Sequence, residues 1–346
     1  MKAALLYGTK DLRIEQIPVP EPGAGEALVK VEACGVCPTD VKRYLGKAIP
    51  PHYPFVLGHE AAGTIVKIGA GTQEQTRLKA GDRVVGGNII TCGACPSCRD
   101  GRLETVGLGA CYHQEIFGVT VDGGFCEYAV MPLSILEKIP DSMPFATAAL
   151  VEPVACCLNG VEKADIHTAD LVLVIGAGFM GLTQLQLAKL KGARVAVSDM
   201  MDERLETARL LGADLVINPA KENLGEQLQK YNDGEMADVV LCSVGAAGVV
   251  TQGLSVLNRG ARLVIIGGVH PPKNIEFDPN DIHYKQASII GSVSYTQSGF
   301  VNTIRLLAEG KLATDVLQSE RIVVEDLEQA FIDVSEARGL RKCVLF

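Results

Sequence analysis

Leu171-Val172-Leu173-Val174-Ile175-Gly176-Ala177-Gly178-Phe179-Met180-Gly181-Leu182 decides how the rest of the chain is read. Five consecutive apolar residues ending at glycine fit a strand buried on both faces of a parallel sheet. The G-x-G-x-x-G pattern that follows opens a helix, predicted over 179–191. Alone, such a pattern is weak. Between an apolar strand and a helix it is the arrangement that holds a dinucleotide pyrophosphate. Gly176 permits the tight turn, Gly178 lets backbone amides approach the phosphates, and Gly181 lets helix pack on strand. Phe179 and Met180 begin the helix, whose N-terminal amides offer positive potential. Asp199 follows the next strand, Arg194–Ser198, where a carboxylate can accept hydrogen bonds from the adenosine ribose. Its charge repels a 2′-phosphate, so NAD is expected over NADP. Arg204 can stack on adenine or balance Asp199, and it keeps NADP open. Gly267, after a strand at 261–266, is placed near the nicotinamide or in a plain turn.

Downstream of this turn, strands and helices alternate. Helices are predicted over 202–211, 221–230 and 247–258, and strands over 214–217 and 237–242. This alternation implies a doubly wound parallel sheet. Upstream, 146–161 reads as a helix broken at Pro153. Residues 1–145 are rich in Gly, Pro and short alternating runs. Ala27-Leu28-Val29-Lys30-Val31-Glu32 has the period of a half-buried strand. The expected division is therefore 1–145, a β-rich barrel domain with a cysteine-rich lobe at 88–115; 146–295, the dinucleotide domain; and 296–346. That last segment carries a helix at 297–309 and a strand at 342–345, and it returns to the first domain.

Two cysteine patterns carry the metal chemistry. Cys92-x2-Cys95-x2-Cys98 with Cys111 fits a closed, four-thiolate structural zinc, or alternatively an iron–sulfur cluster or free thiols. Cys37 with His59-Glu60 fits an open zinc site that keeps a position for water or substrate. Glu60 and Glu152 are both candidates for its carboxylate. Adjacent strand residues face opposite ways, so His59 and Glu60 bind together only where the chain bends. Pro153 biases Glu152 toward extended backbone. Cys34-x2-Cys37 as a redox pair is the competing reading.

The 346 residues suffice for two cores, and 47% hydrophobic with 21% charged residues is the composition of a soluble globular protein. A net charge of −9 argues against broad nucleic-acid binding. No run of about 18–20 apolar residues is read as a membrane span, and the N-terminus lacks the stretch of a signal peptide. A cytoplasmic protein with no nucleic-acid or membrane partner is expected, its cysteines thiols and thiolates rather than a disulfide framework.

Taken together, Cys37-Pro38-Thr39-Asp40, Gly58-His59-Glu60-Ala61-Ala62-Gly63, the four-cysteine lobe, Asp122-Gly123-Gly124-Phe125, Glu152-Pro153 and the glycine fingerprint resemble the zinc-containing medium-chain alcohol and polyol dehydrogenases. The resemblance spans essentially the whole chain. It implies an α/β protein with a GroES-like β-barrel catalytic domain and a Rossmann domain, and a dimer or homotetramer. It implies two zincs per chain, NAD, and a small-molecule alcohol or polyol substrate. Thr39 would take the hydroxyl proton, with Glu60 and Glu152 at the metal. Glu152 stands where sorbitol and threonine dehydrogenases carry Glu, which tilts the expectation toward polyols. A threonine 3-dehydrogenase-type enzyme, a simple secondary-alcohol or NADPH carbonyl reductase, and a non-catalytic zinc- and dinucleotide-binding protein are the alternatives. Three positions depart from the family pattern. Val106 stands where the fourth lobe cysteine is usual, implying a five-residue insertion before Cys111. Pro38 replaces Gly or Arg. Lys42 replaces a His that ends a proton relay in several relatives. Tyr44, Phe55, Phe117 and Tyr295 are expected to line the substrate pocket.

Overall fold

The computed structural model describes residues 1–71 and 76–346. The chain forms two units, Met1–Pro153 with Thr296–Phe346, and Val154–Tyr295.

In the first unit, strand Glu26–Gly35 is the organising element. It pairs antiparallel with Glu60–Ile68, with Tyr128–Pro132 and with Arg341–Leu345. The sheet runs Leu136–Lys138, Arg83–Gly86, Glu60–Ile68, Glu26–Gly35, Arg341–Leu345, Gln318–Ile322. A smaller sheet orders Asp11–Gln16, Lys2–Gly8 and Phe55–Val56. The alternation at 27–32 holds in the structure: Ala27, Val29 and Val31 are buried, Lys30 and Glu32 are part-exposed, and only Leu28, buried on the other face, departs from it.

The C-terminal segment closes this core. Cys343, Val344 and Leu345 pair with Gly35, Cys34 and Ala33. Helix Leu327–Ser335 brings Phe331, fully buried, against the rings of Tyr44 (5.3 Å between centroids) and Phe125 (6.0 Å).

The second unit is a parallel sheet in the order Leu215–Ile217, Arg194–Ser198, Leu171–Ile175, Ala237–Cys242, Leu257–Ile265, Ser288–Gly291. The order reverses beside Leu171–Ile175, the topology that places a ligand site at strand C-termini. Every residue of Leu171–Ile175 is buried, as its unbroken apolar run requires. Helix Pro279–Lys285 and edge strand Ser288–Gly291 are not foreshadowed by periodicity, because each is short and largely exposed.

Two expectations need correction. The helix at 146–161 is not broken at Pro153. Phe145–Ala148 and Val151–Lys163 are separate helices, and Pro153 lies in the first turn of the second, where a missing N–H costs no helical bond. The division between units accordingly falls inside this helix, after Pro153, rather than at 145. The stretch Phe145–Lys163 is also, by length and composition, apolar enough to cross a membrane, contrary to the sequence reading. Of its apolar window 78% is buried within the fold, as in a core helix.

Replacing Phe331 by Ala removes the ring that joins the C-terminal segment to Tyr44 and Phe125. A loss of about 3–5 kcal/mol is expected, read as an earlier urea transition by circular dichroism, since the chain has no tryptophan.

Candidate active site and metal centres

Cys37, His59 and Glu60 reach one another because two paired strands deliver them. Gly35 at the end of one strand is opposite Glu60 at the start of its partner. Two residues past Gly35, Cys37 caps helix Pro38–Tyr44 in extended backbone. Gly58, at φ +93°, makes the bend that lets the neighbours His59 and Glu60 turn to one centre. A Cβ on Gly58 would strike Phe125 and the Cys34 sulfur at 2.8–2.9 Å, and one on Gly35 would meet a Glu60 carboxylate oxygen at 2.1 Å. Both glycines therefore leave space that the site uses. The Gly58 turn is clamped from outside: the Gly124 amide donates to Gly58 O and the Phe125 amide to Leu57 O, while Asp122 accepts from the Val56 amide.

Asp40 ties the two loops together. Its carboxylate, with no exposure, accepts from the Cys37 amide at 3.0 Å and from the Gly58 amide at 3.2 Å, and lies 3.5 Å from His59 Nδ1. Arg341, from the far C-terminal strand, places Nη2 3.2 Å from Glu60 Oε1 and donates from Nη1 to Val36 O. One ligand atom from each of Cys37, His59 and Glu60 lies within 4.8 Å of the others. Glu152 is buried and near enough to act on Glu60 and Arg341 as a charge, but it does not join that group. Burial pushes the Glu60 carboxyl up to about 7, opposed by the positive charges of Arg341 and His59. Burial works against the His59 cation, yet Cys37 and Asp40 outweigh it and raise the imidazole well above its ordinary value. Neither Glu60 oxygen makes a hydrogen bond among the described residues, and Arg341 meets Oε1 as an ion pair. A thiol, an imidazole and a carboxylate gathered this closely are a fit for a cation such as zinc.

Cys34 stays out of this chemistry. Its sulfur is buried against Gly58 and Phe125, and burial raises the thiol well above its ordinary range. Cys34 and Cys37 are both free thiols, and only Cys37 joins the metal-ligand group.

The second cluster is all sulfur. Cys95 and Cys98 are 3.4 Å apart, Cys98 and Cys111 3.7 Å, Cys92 and Cys98 3.9 Å, Cys95 and Cys111 4.0 Å. Four sulfurs around one zinc at about 2.3 Å would be separated by about 3.8 Å, so the set fits that ion. Backbone amides, that of Tyr112 foremost, draw the Cys95 thiol down to about 6. Val106 ends a separate short helix, Leu103–Val106, with its side chain exposed.

In the second unit, Gly176 sits at φ +102°, and a Cβ on Gly181 would lie 1.7 Å from Gly176 O. Beside Gly178 the nearest atom is Arg204 Nη1 at 3.9 Å, leaving a cradle over the amides of helix Phe179–Leu190. Phe179 and Met180 form its first turn. Asp199 accepts from the Ala177 amide at 2.7 Å and from the Met201 amide at 2.9 Å. Gly267 packs against Ser243, Val244 and Gly245 too tightly for a Cβ.

The residues at 23–141 match the model of the alcohol dehydrogenase GroES-like domain, and those at 180–309 the model of the zinc-binding dehydrogenases. The chain belongs to the zinc-type medium-chain dehydrogenases. It is 31% identical to L-galactonate-5-dehydrogenase of Escherichia coli K12, covering 100% of this chain and 98% of that one. It is 36% identical to L-threonine 3-dehydrogenase of Pyrococcus horikoshii, covering 96% and 93%. A zinc-binding dehydrogenase from Sinorhizobium meliloti 1021, solved bound to NADP, superposes with a TM-score of 0.92 at 30% identity, covering 100% and 99%.

Within this dehydrogenase, sequence reasoning passed over Asp40, Gly35 and Arg341. Only Asp40, three residues after Cys37 as in a capping box, had a local signal. Tyr44, Phe55 and Phe117, expected at the pocket, are instead part of the first unit's core, and Tyr295 is also buried. Their large apolar rings contribute more by burial than a wetted wall would allow.

Substituting Cys111 by Ser is expected to release the zinc of the lobe and lower the melting temperature, because a structural metal contributes folding energy outright. Val106→Ser, at an exposed side chain, is expected to change stability by no more than about 0.5 kcal/mol. Metal analysis and thermal melts of the two variants check this.

Proposed function

We propose that this dehydrogenase oxidises a secondary alcohol of polyol type with NAD, as a cytoplasmic homo-oligomer. The observation that carries the reading is the open group Cys37–His59–Glu60, which accompanies a complete dinucleotide turn in the same chain. Cys37, His59 and Glu60 would hold the catalytic zinc, with Glu152 a buried carboxylate in reserve beside Glu60. Cys92, Cys95, Cys98 and Cys111 would hold the structural one. Bound zinc supplies Lewis acidity that lowers an alcohol's pKa, and bound NAD supplies the hydride acceptor.

The chain's own residues set up the rest. Asp40 fixes the orientation of His59, and Arg341 fixes Glu60. Thr39, half-buried in the first turn of helix Pro38–Tyr44, is two residues from Cys37, and its hydroxyl would take the proton that leaves the alcohol while passing its own on toward the cofactor ribose. Lys42 lies three residues further along the same helix, on the same face, where several relatives carry a His. Asp199 supports NAD by its charge. Arg204, close to Gly178, is the observation that favours NADP as a second reading.

The zinc-loaded protein should reduce NAD in the presence of sorbitol or a related polyol, and more efficiently than it reduces NADP. Thr39→Val should lower kcat by about 10²–10⁴ with zinc content unchanged. Turnover of that variant near the parent's would refute the proton role of Thr39.

A further inference from the structure

Arg43 is a cation that the fold buries without employing. It lies in the last turn of helix Pro38–Tyr44 with 8% of its surface exposed. Its Nε and Nη1 find no hydrogen-bond partner among the described residues. The ordinary explanation, a cation that caps the carbonyls at its helix end, would give those nitrogens acceptors, and they have none. Asp40 is the strongest favourable charge on it. That carboxylate is already engaged by the Cys37 and Gly58 amides and lies against His59. A buried guanidinium with two nitrogens left unsatisfied is costly to keep, a cost that a hydrophobic residue would avoid.

The placement of Arg43 gives this cost a use. Asp40 and Arg43 are three residues apart and so share one face of the helix. That face carries Asp40 to His59. Arg43 is one turn further on, about 9 Å along the helix axis from Cys37. This distance is comparable to the length of a short polyhydroxy compound whose other end is at the metal. Tyr53 is near enough to act on the guanidinium electrostatically, and it is 41% exposed, so its hydroxyl can donate to the same ligand. A planar guanidinium with free N–H groups is suited to the paired oxygens of a carboxylate or phosphate.

We propose that Arg43 is a specificity-determining residue that receives an anionic group, a carboxylate or a phosphate monoester, carried by the alcohol oxidised at the Cys37–His59–Glu60 centre. The inference rests on the dehydrogenase reading above and narrows its substrate class.

The test uses the zinc-loaded full chain and compares kcat/KM for sorbitol, gluconate and sorbitol 6-phosphate. The parent should prefer at least one anionic member over sorbitol by about tenfold or more, and the carboxylate and phosphate arms tell which anion is received. Arg43→Met should lower that ratio by about 10²-fold, the scale of one lost charge-assisted pair. Arg43→Lys should recover only part of it. A ratio equal in parent and Arg43→Met overturns the proposal.

A second arm needs no turnover. Calorimetric binding of gluconate and of inorganic phosphate to the zinc-loaded protein should weaken about tenfold or more in Arg43→Met for the anion preferred, and equal binding overturns the proposal. If the parent oxidises none of the alcohols yet binds the anion through Arg43, the dehydrogenase reading fails and the anion site stands. Without added anion, Arg43→Met should melt no lower than the parent, because it removes two buried, unsatisfied nitrogens. A melting temperature several degrees lower would mark Arg43 as a structural residue and overturn the proposal.

Discussion

The site depends on one buried carboxylate. Asp40 accepts hydrogen bonds from the amides of Cys37 and Gly58 and faces His59. Cys37 and His59 follow different strands, and nothing local to either loop fixes the separation of thiol and imidazole. Asp40 does so by satisfying one amide from each loop with one rigid group. Burying a carboxylate costs free energy that hydrogen bonds offset, so these bonds support Asp40 as Asp40 supports the loops. Glycines provide the remaining space: Gly35 admits the Glu60 carboxylate and Gly58 makes the bend.

The second unit uses the same device. Asp199 accepts from Ala177 and Met201 amides and so holds the phosphate turn against the strand that follows it. Asp199 is thereby part of the scaffold of the turn. Charge and shape at this turn are thus carried by one side chain.

Much of this was legible in the sequence, and the part that was not has a physical reason. Leu171–Ile175 declared itself because a strand buried on both faces must be apolar throughout. The four lobe cysteines declared themselves because a metal site needs a narrow set of side chains at short spacing. Glu26–Gly35 kept the alternation of Val29, Lys30, Val31 and Glu32, and only the burial of Leu28 was not foreseen. Pro153 misled, since proline ends a helix in its interior but is tolerated in its first turn. The roles of Arg341 and Gly35 were illegible. The first depends on a strand more than 300 residues away in sequence from the loop it serves, and the second on the position of a side chain across a strand pair. Composition and spacing carry no trace of either. That Glu60, and not Glu152, gathers with Cys37 and His59 was likewise illegible, since it turns on the bend at Gly58.

The claim that Asp40 assembles the open centre is tested most directly by zinc retention in Asp40→Asn. An amide in place of the carboxylate loses one acceptor and the negative charge facing His59. The account predicts that the zinc held by Cys37, His59 and Glu60 weakens by about 10–100-fold, as for other groups that orient metal ligands. The zinc of the cysteine lobe should be retained through the same titration with a weak chelator. Equal retention of both zincs in the parent and Asp40→Asn would contradict the account.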